Sequence, residues 1–152
     1  MKILVISDSH GAENAFLDVL EENKDADALF FLGDGERDFD ATRYYMGKMR
    51  IYAVKGNCDM FSSLNDEDLE ILDGKRIFYT HGHKFSVKSG YDYILAKGES
   101  LSADIIFFGH THNPLSEERE GILLFNPGSL NRGSYGTIEI KNGKIETKIR
   151  RR

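Results

Sequence analysis

Six short apolar runs constrain this chain most: Lys2 to Ile6, Ala28 to Leu32, Ile51 to Val54, Arg76 to Tyr79, Asp104 to Phe108 and Gly121 to Phe125. Their β-branched and aromatic residues, bounded by polar and glycine-rich segments, predict buried strands. Between the first two, Ala12, Phe16, Val19, Leu20 and Asn23 recur at helical spacing and predict an amphipathic helix. Further helices are expected over Phe39 to Lys48 and Ser86 to Ser102, the latter weakened by Gly90 and Gly98. The chain therefore begins βαβαβ. Near its end, strands on either side of Asn142-Gly143 predict a hairpin, and Arg150 to Arg152 a frayed, solvated tail. Parallel and antiparallel elements are mixed in one α/β chain. With no linker, repeat or low-complexity segment between them, residues 1–152 read as a single domain.

No run approaches the 18 or so apolar residues of a membrane helix. The apolar start passes directly into Ser7-Asp8-Ser9-His10 with no secretory cleavage pattern, so a cytoplasmic protein without a membrane partner is expected. One cysteine, Cys58, forms no intrachain disulfide and no CxxC zinc site. A net charge of −5 with no basic stripe argues against a stable nucleic-acid complex. It leaves room for a phosphate substrate if bound cations supply positive charge.

All five histidines fall in three motifs, Asp8-Ser9-His10, His81-Gly82-His83 and His110-Thr111-His112, each just after an expected strand. Gly33-Asp34 and Gly56-Asn57-Cys58-Asp59 follow two more strands. The carboxyl ends of strands in an open α/β sheet are where ligand sites form, so five polar motifs converge on one rim. Carboxylates, imidazoles and one amide, without a thiolate pair, suit hard or borderline divalent metals. Asp8 with His10, and His110 with His112, stand two residues apart, a spacing that in extended backbone projects both side chains to one side. Asp34 has two oxygens and could bridge two ions, while Asn57 offers a neutral carbonyl oxygen. The count supports a two-metal site. Two cations about 3.5 to 4 Å apart would acidify a shared water and brace a phosphoryl group, and the hydroxide would attack phosphorus in line.

The motifs Asp8-x-His10, Gly33-Asp34, Gly56-Asn57-x-Asp59, His81-Gly82-His83 and Gly109-His110-Thr111-His112 resemble, in order and spacing, those of the calcineurin-like metallophosphoesterases. Chain length, Cys58 and Asn126-Pro127-Gly128-Ser129 are similar to the small YfcE-like phosphodiesterases within them. The resemblance implies a four-layer α/β/β/α sandwich with two central mixed β-sheets, which the strand count alone does not distinguish from three layers. It implies a hydrolase with Asp8, His10, Asp34 and His112 on one ion and Asp34, Asn57, His81 and His110 on the other. Manganese leads as the ion, with nickel, zinc, iron or cobalt as substitutes. Asn57, His81 and His83 are the candidates for catalytic roles, His83 as a phosphate contact or a partner of a ligand. A small phosphate ester is the implied substrate and a homodimer an implied assembly.

Two departures stand out. Many family members have histidine at Cys58, credited with contacting phosphate or helping the leaving group; a neutral thiol is a weak donor, so Cys58 is expected to be a small buried hydrophobe. The short stretch from Ser129 to Ser134 implies an open, permissive site. Asp59 is expected to orient a neighbour or cap a turn, and Glu36 and Asp38 to form a solvated turn, from which either could anchor the Asp34 loop near two cations. Arg37, Lys55, Lys84 and Arg132 are read as surface charges near the motif loops.

Other phosphoryl-transfer chemistries lack their residues. Leu64 stands where a cysteine phosphatase needs arginine, Asp8 has no second aspartate two residues on, and neither a P-loop nor a Gly-x-Ser-x-Gly elbow occurs. The alternative from another class is a retromer-type scaffold on the same fold, which binds partners without catalysis. Complete donor residues at every matched position favour the enzyme.

Overall fold

The computed structural model describes residues 1–152. Strands β1 (Lys2–Ile6), β2 (Ala28–Phe31), β3 (Arg50–Ala53), β4 (Glu67–Leu72), β5 (Lys75–Thr80), β6 (Ile105–Phe107), β7 (Leu115–Arg119), β8 (Ile122–Asn126), β9 (Ser134–Lys141) and β10 (Lys144–Arg151) alternate with helices α1 (Glu13–Glu22), α2 (Glu36–Thr42) and α3 (Asp92–Ser100). They form two five-stranded sheets, ordered β10-β9-β1-β2-β3 and β4-β5-β6-β8-β7. In the first, β1, β2 and β3 are parallel, and β9 and β10 complete the sheet in antiparallel pairing. In the second, β5, β6 and β8 are parallel and flanked by antiparallel β4 and β7.

Side-chain alternation explains why the central strands are apolar throughout. Ile3 and Val5 of β1, Ala28 and Phe30 of β2, and Ile105 and Phe107 of β6 share one cluster between the sheets. Their neighbours Leu4, Ile6, Leu29 and Phe31 turn outward beneath α1 and α2. On the opposite outer face, Phe78 and Ile106 meet Ile94 and Leu95 of α3. Three apolar layers separate four layers of secondary structure, an α/β/β/α sandwich with mixed sheets. Phe30 pins the middle layer, its ring 5.0 Å from Phe107 and 4.9 Å from Tyr79, both edge to face. No helix is long and apolar enough to cross a membrane.

Several elements depart from the sequence reading. Strands β4 and β7 are unanticipated because they are charged edge strands, Glu67-Asp68-Leu69-Glu70-Ile71-Leu72 and Leu115-Ser116-Glu117-Glu118-Arg119. Helix α2 begins three residues early and yields to a 3₁₀ turn at Arg43–Met46. Its early start comes from a distant residue: Gly35 offers no capping side chain, and Asp59 accepts the Gly35 and Glu36 backbone N–H groups at 3.0 Å each. Helix α3 begins six residues late, because Ser86 and Gly90 adopt left-handed backbone conformations, φ 52° and 148°. Gly98 does sit within α3, where a methyl group would overlap the Ile106 side chain. The expected frayed tail is instead ordered: β10 runs to Arg151, and Arg152 donates its N–H to the Gly133 carbonyl at 2.8 Å and its guanidinium to Asp18 at 3.0 Å.

Candidate metal centre

The loops after β1, β2, β5 and β6 bring Asp8, His10, Asp34, His81, His110 and His112 to one place. Donor atoms of Asp8, His10 and His112 lie within 4.8 Å of one another, as do those of Asp34, His81 and His110, and those of His10, Asp34 and Cys58. The spacing argument needs correcting. Asp8, His10, Asp34, His110 and His112 are not extended but have φ of 54°, 41°, 59°, 68° and 61°, the left-handed region that non-glycine residues rarely enter. Such residues cost of order 1–3 kcal/mol each and cluster where surrounding structure enforces them for function.

That enforcement is visible atom by atom. Asp8 Oδ2 accepts the Ser7 hydroxyl at 2.5 Å and the His110 backbone N–H at 3.1 Å. Its Oδ1 is left facing His112 Nε2 at 3.1 Å and His10 Nε2 at 3.5 Å. Asp34 is arranged alike: Oδ1 accepts the Cys58 N–H at 2.8 Å, and Oδ2 faces His81 Nε2 at 3.2 Å and His10 Nε2 at 3.8 Å. Each carboxylate is tethered by one oxygen and presents the other. Both are buried.

The His81 ring is fixed by the Leu32 carbonyl, 2.7 Å from Nδ1. A carbonyl only accepts, so Nδ1 carries the proton and Nε2 points into the cluster, the tautomer of a metal-ligating histidine. Burial pulls His81 down, but the Asp34 hydrogen bond and the Asp8 and Asp34 charges leave it above its ordinary value. Burial raises Asp34, yet the His81 hydrogen bond and charge and the Cys58 N–H hold it well below the carboxylate range. Burial, with the His81 and Lys88 charges, brings His110 down to about 4. Imidazole nitrogens also face each other, His10 with His112 at 3.3 Å and His81 with His110 at 3.2 Å. Carboxylate oxygens and ring nitrogens converging at such distances fit divalent cations as the charge that reconciles them.

Around the donors stands a supporting set. Asp59 orients neighbours as expected, accepting the N–H groups of Asp34 and Gly56 at 2.8 Å in addition to those of Gly35 and Glu36. Asp38 anchors the β1 loop rather than the Asp34 loop, accepting the Ser9 hydroxyl at 2.6 Å and the Gly11 N–H at 2.8 Å. Asn126, unassigned from sequence, donates to the Gly109 carbonyl and the Thr111 hydroxyl at 3.0 Å each and so fixes the His110 loop. Ser129 likewise donates to the Asp8 carbonyl at 2.8 Å. Their signal was the polar Asn126-Pro127-Gly128-Ser129 directly after an apolar strand.

Asn57 is exposed, and its amide nitrogen contacts Cys58 Sγ at 3.5 Å. His83 lies beside the cluster, its ring 5.5 Å from His81 and 6.1 Å from His110, with Nδ1 buried and unpartnered. Burial and the His81 charge lower its pKa. Lys84 is paired with Asp66 at 2.6 Å. Cys58 overturns its reading as a buried hydrophobe: its backbone N–H is tied to Asp34 Oδ1, and the exposed thiol stands at the cluster's edge beside His10 and Asp34. Partial desolvation and the charges of Asp34, Asp59 and Asp8 raise its pKa.

The chain is a double-sheet α/β sandwich with carboxylates and imidazoles gathered at its strand ends in groups that could hold metal ions. Residues 1–143 match the calcineurin-like phosphoesterase superfamily domain, and the chain belongs to that superfamily. It is 37% identical over 132 residues to the probable metallophosphoesterase YsnB of Bacillus subtilis, covering 86% of this chain and 75% of YsnB. It is 32% identical over 168 residues to the phosphodiesterase YfcE of Escherichia coli K12, covering 91% of this chain and 88% of YfcE. Among solved structures, a predicted phosphoesterase of Streptococcus pneumoniae superposes with a TM-score of 0.86 at 27% identity, over 99% of this chain and 88% of that one. Zinc-complexed Vps29 of Entamoeba histolytica shares the fold, with a TM-score of 0.79 at 23% identity over 99% of both chains.

Proposed function

We infer that the chain is a metal-dependent phosphodiesterase of small phosphate esters, with Asp8, His10, Asp34 and His112 holding one ion and Asp34, Asn57, His81 and His110 the other. The observation that carries this reading is Asp34 Oδ2, which stands between His10 and His81 and so belongs to both ligand groups. YfcE, similar over most of this chain, is named a phosphodiesterase. Manganese is the first assignment, since carboxylate, imidazole and amide donors without a thiolate pair accept it.

When bound, such an ion pair acidifies water and neutralises the charge of a phosphoryl group. The chain's own part is positioning. Asp8 and Asp34 each present one free oxygen; His81 presents Nε2 because Leu32 holds Nδ1; Asn126 fixes the loop of His110 and His112. His83, whose ring stands 5.5 Å from His81 and 6.1 Å from His110, is the candidate contact to the phosphate. A cytoplasmic protein without a nucleic-acid partner accords with the charge of −5. The test is hydrolysis of bis(p-nitrophenyl) phosphate by protein stripped with chelator and then reconstituted with manganese. Turnover should vanish on stripping and return on reconstitution. Full turnover in verified metal-free protein would overturn the mechanism.

A further inference from the structure

Beside the metal cluster, α2 and the loop after β3 enclose a cleft of about 410 Å3 lined by Glu36, Arg37, Asp40, Cys58, Asp59, Met60, Phe61 and Ser62. Its mouth is Cys58, whose sulfur lies within 4.8 Å of the donor atoms of His10 and Asp34. Asp59 ties the two walls together, its carboxylate accepting N–H groups from Asp34, Gly35 and Glu36 on one side and Gly56 on the other. The cleft therefore has a fixed root.

On the loop wall, Met60 is 73% and Phe61 102% exposed, two adjacent large apolar side chains given to solvent. Phe61 also has φ 59°, a conformation in which a bulky residue is a genuine outlier. The backbone is strained where the ring is held away from the core, a combination characteristic of ligand contacts. Aromatic faces stack on planar groups, and the methionine thioether adds favourable contact with aromatic rings. Against three carboxylates, Glu36, Asp40 and Asp59, the lining offers one cation, Arg37. A second phosphate would be repelled there, whereas an uncharged ring would not.

We propose that this cleft is the subsite for an uncharged aromatic substituent of the substrate, with Phe61 as its stacking platform and Met60 as its flank. The proposal rests on the phosphodiesterase reading: a phosphorus atom at the metal cluster places one of its ester groups at Cys58, and the cleft is where that group extends. It narrows the substrate class to diesters carrying an aryl or nucleobase-like group and no further phosphate on that arm.

The test is calorimetric titration of diphenylphosphinate and dimethylphosphinate, anions with no ester bond to hydrolyse, into the protein in manganese buffer. Diphenylphosphinate should bind about tenfold more tightly or better, the gain expected of one stacked ring. Phe61→Ala should abolish most of that preference, Met60→Ala part of it, and Phe61→Trp should keep it. Equal binding of the two anions, or a preference that survives Phe61→Ala, would overturn the proposal. So would a change in molecular mass by light scattering in Phe61→Ala with the preference intact, which would make Phe61 a self-association contact. Failure of the phosphodiesterase reading is read separately, as absent bis(p-nitrophenyl) phosphate turnover in the same manganese-loaded sample, with the Phe61-dependent preference still present.

Discussion

Asp34 is the residue on which the site turns, because one oxygen is spent on the Cys58 N–H and the other stands between two histidines. From the sequence, a cluster of carboxylates without a cation suggests that Asp34→Asn would relieve repulsion in metal-free protein. The contacts reverse that sign: Asp34 faces imidazoles, and His81 lowers its pKa. A depressed folded pKa contributes stability that is present above the unfolded carboxylate value of about 4 and lost as pH falls below it. The raised His81 value acts oppositely, its contribution present below the unfolded imidazole value of about 6.5 and lost as pH rises through the folded one. In metal-free protein the Asp34–His81 pair therefore contributes most between these limits. The depressed His110 and His83 oppose it there, since the unfolded imidazoles take up protons that the folded ones do not. Asp34→Asn should lower the protein's melting temperature there and flatten both flanks, as thermal scans from pH 3 to 9 will read. In manganese, the same variant should lose more activity than the ~10–100-fold typical of a partner outside the ligand set. Asp38 supports the site from outside the ligand set, accepting from the Ser9 hydroxyl and the Gly11 N–H. An unaltered metal-free pH profile in Asp34→Asn would refute the pairing.

At the scale of elements, legibility follows burial. The central strands could be read because both faces are covered, leaving unbroken apolar runs such as Ala28 to Phe31, while β4 and β7 were hidden by the charges that protect sheet edges. The rim position of His81 and His110 could be read from strand ends; the left-handed turns that aim His110 and His112 could not, because tertiary contacts impose them. The start of α2 was illegible for the same reason, its cap lying 24 residues downstream of Gly35. Gly56 is where such a contact does leave a sequence trace. A methyl group there would overlap Asp34 Oδ1 and come within 2.5 Å of the Asp34 backbone nitrogen and 2.7 Å of Cγ, so the loop after β3 can pass the Asp34 loop here only as glycine. Gly56→Ala should cost about 1–3 kcal/mol, the usual range for forced overpacking. It should also reduce manganese uptake, measured by denaturant melts and by metal analysis after gel filtration. Parent-like metal content would show that the loop yields without moving Asp34.

The whole molecule is two sheets meeting face to face, and the proposed donors are divided between them. Asp8, His10, Asp34 and Asn57 follow strands of the first sheet; His81, His110 and His112 follow strands of the second. Ions held by both should resist separation of the sheets. At 100 times its dissociation constant, a ligand bound only by the native state adds about 2.7 kcal/mol. Hydrogen exchange on manganese-loaded and stripped protein should show added protection at the ends of β1, β2, β5 and β6 together. Protection confined to one sheet would refute a shared centre. The same division has a consequence during synthesis. The first seven dozen residues carry both carboxylate donors but only two of the four proposed imidazole donors, so a nascent chain passes through a long interval in which it can form strands while His110 and His112 are still missing. In the proposed site the full donor set exists only once both sheets have been made, so tight ion capture would follow completed tertiary assembly rather than guide it.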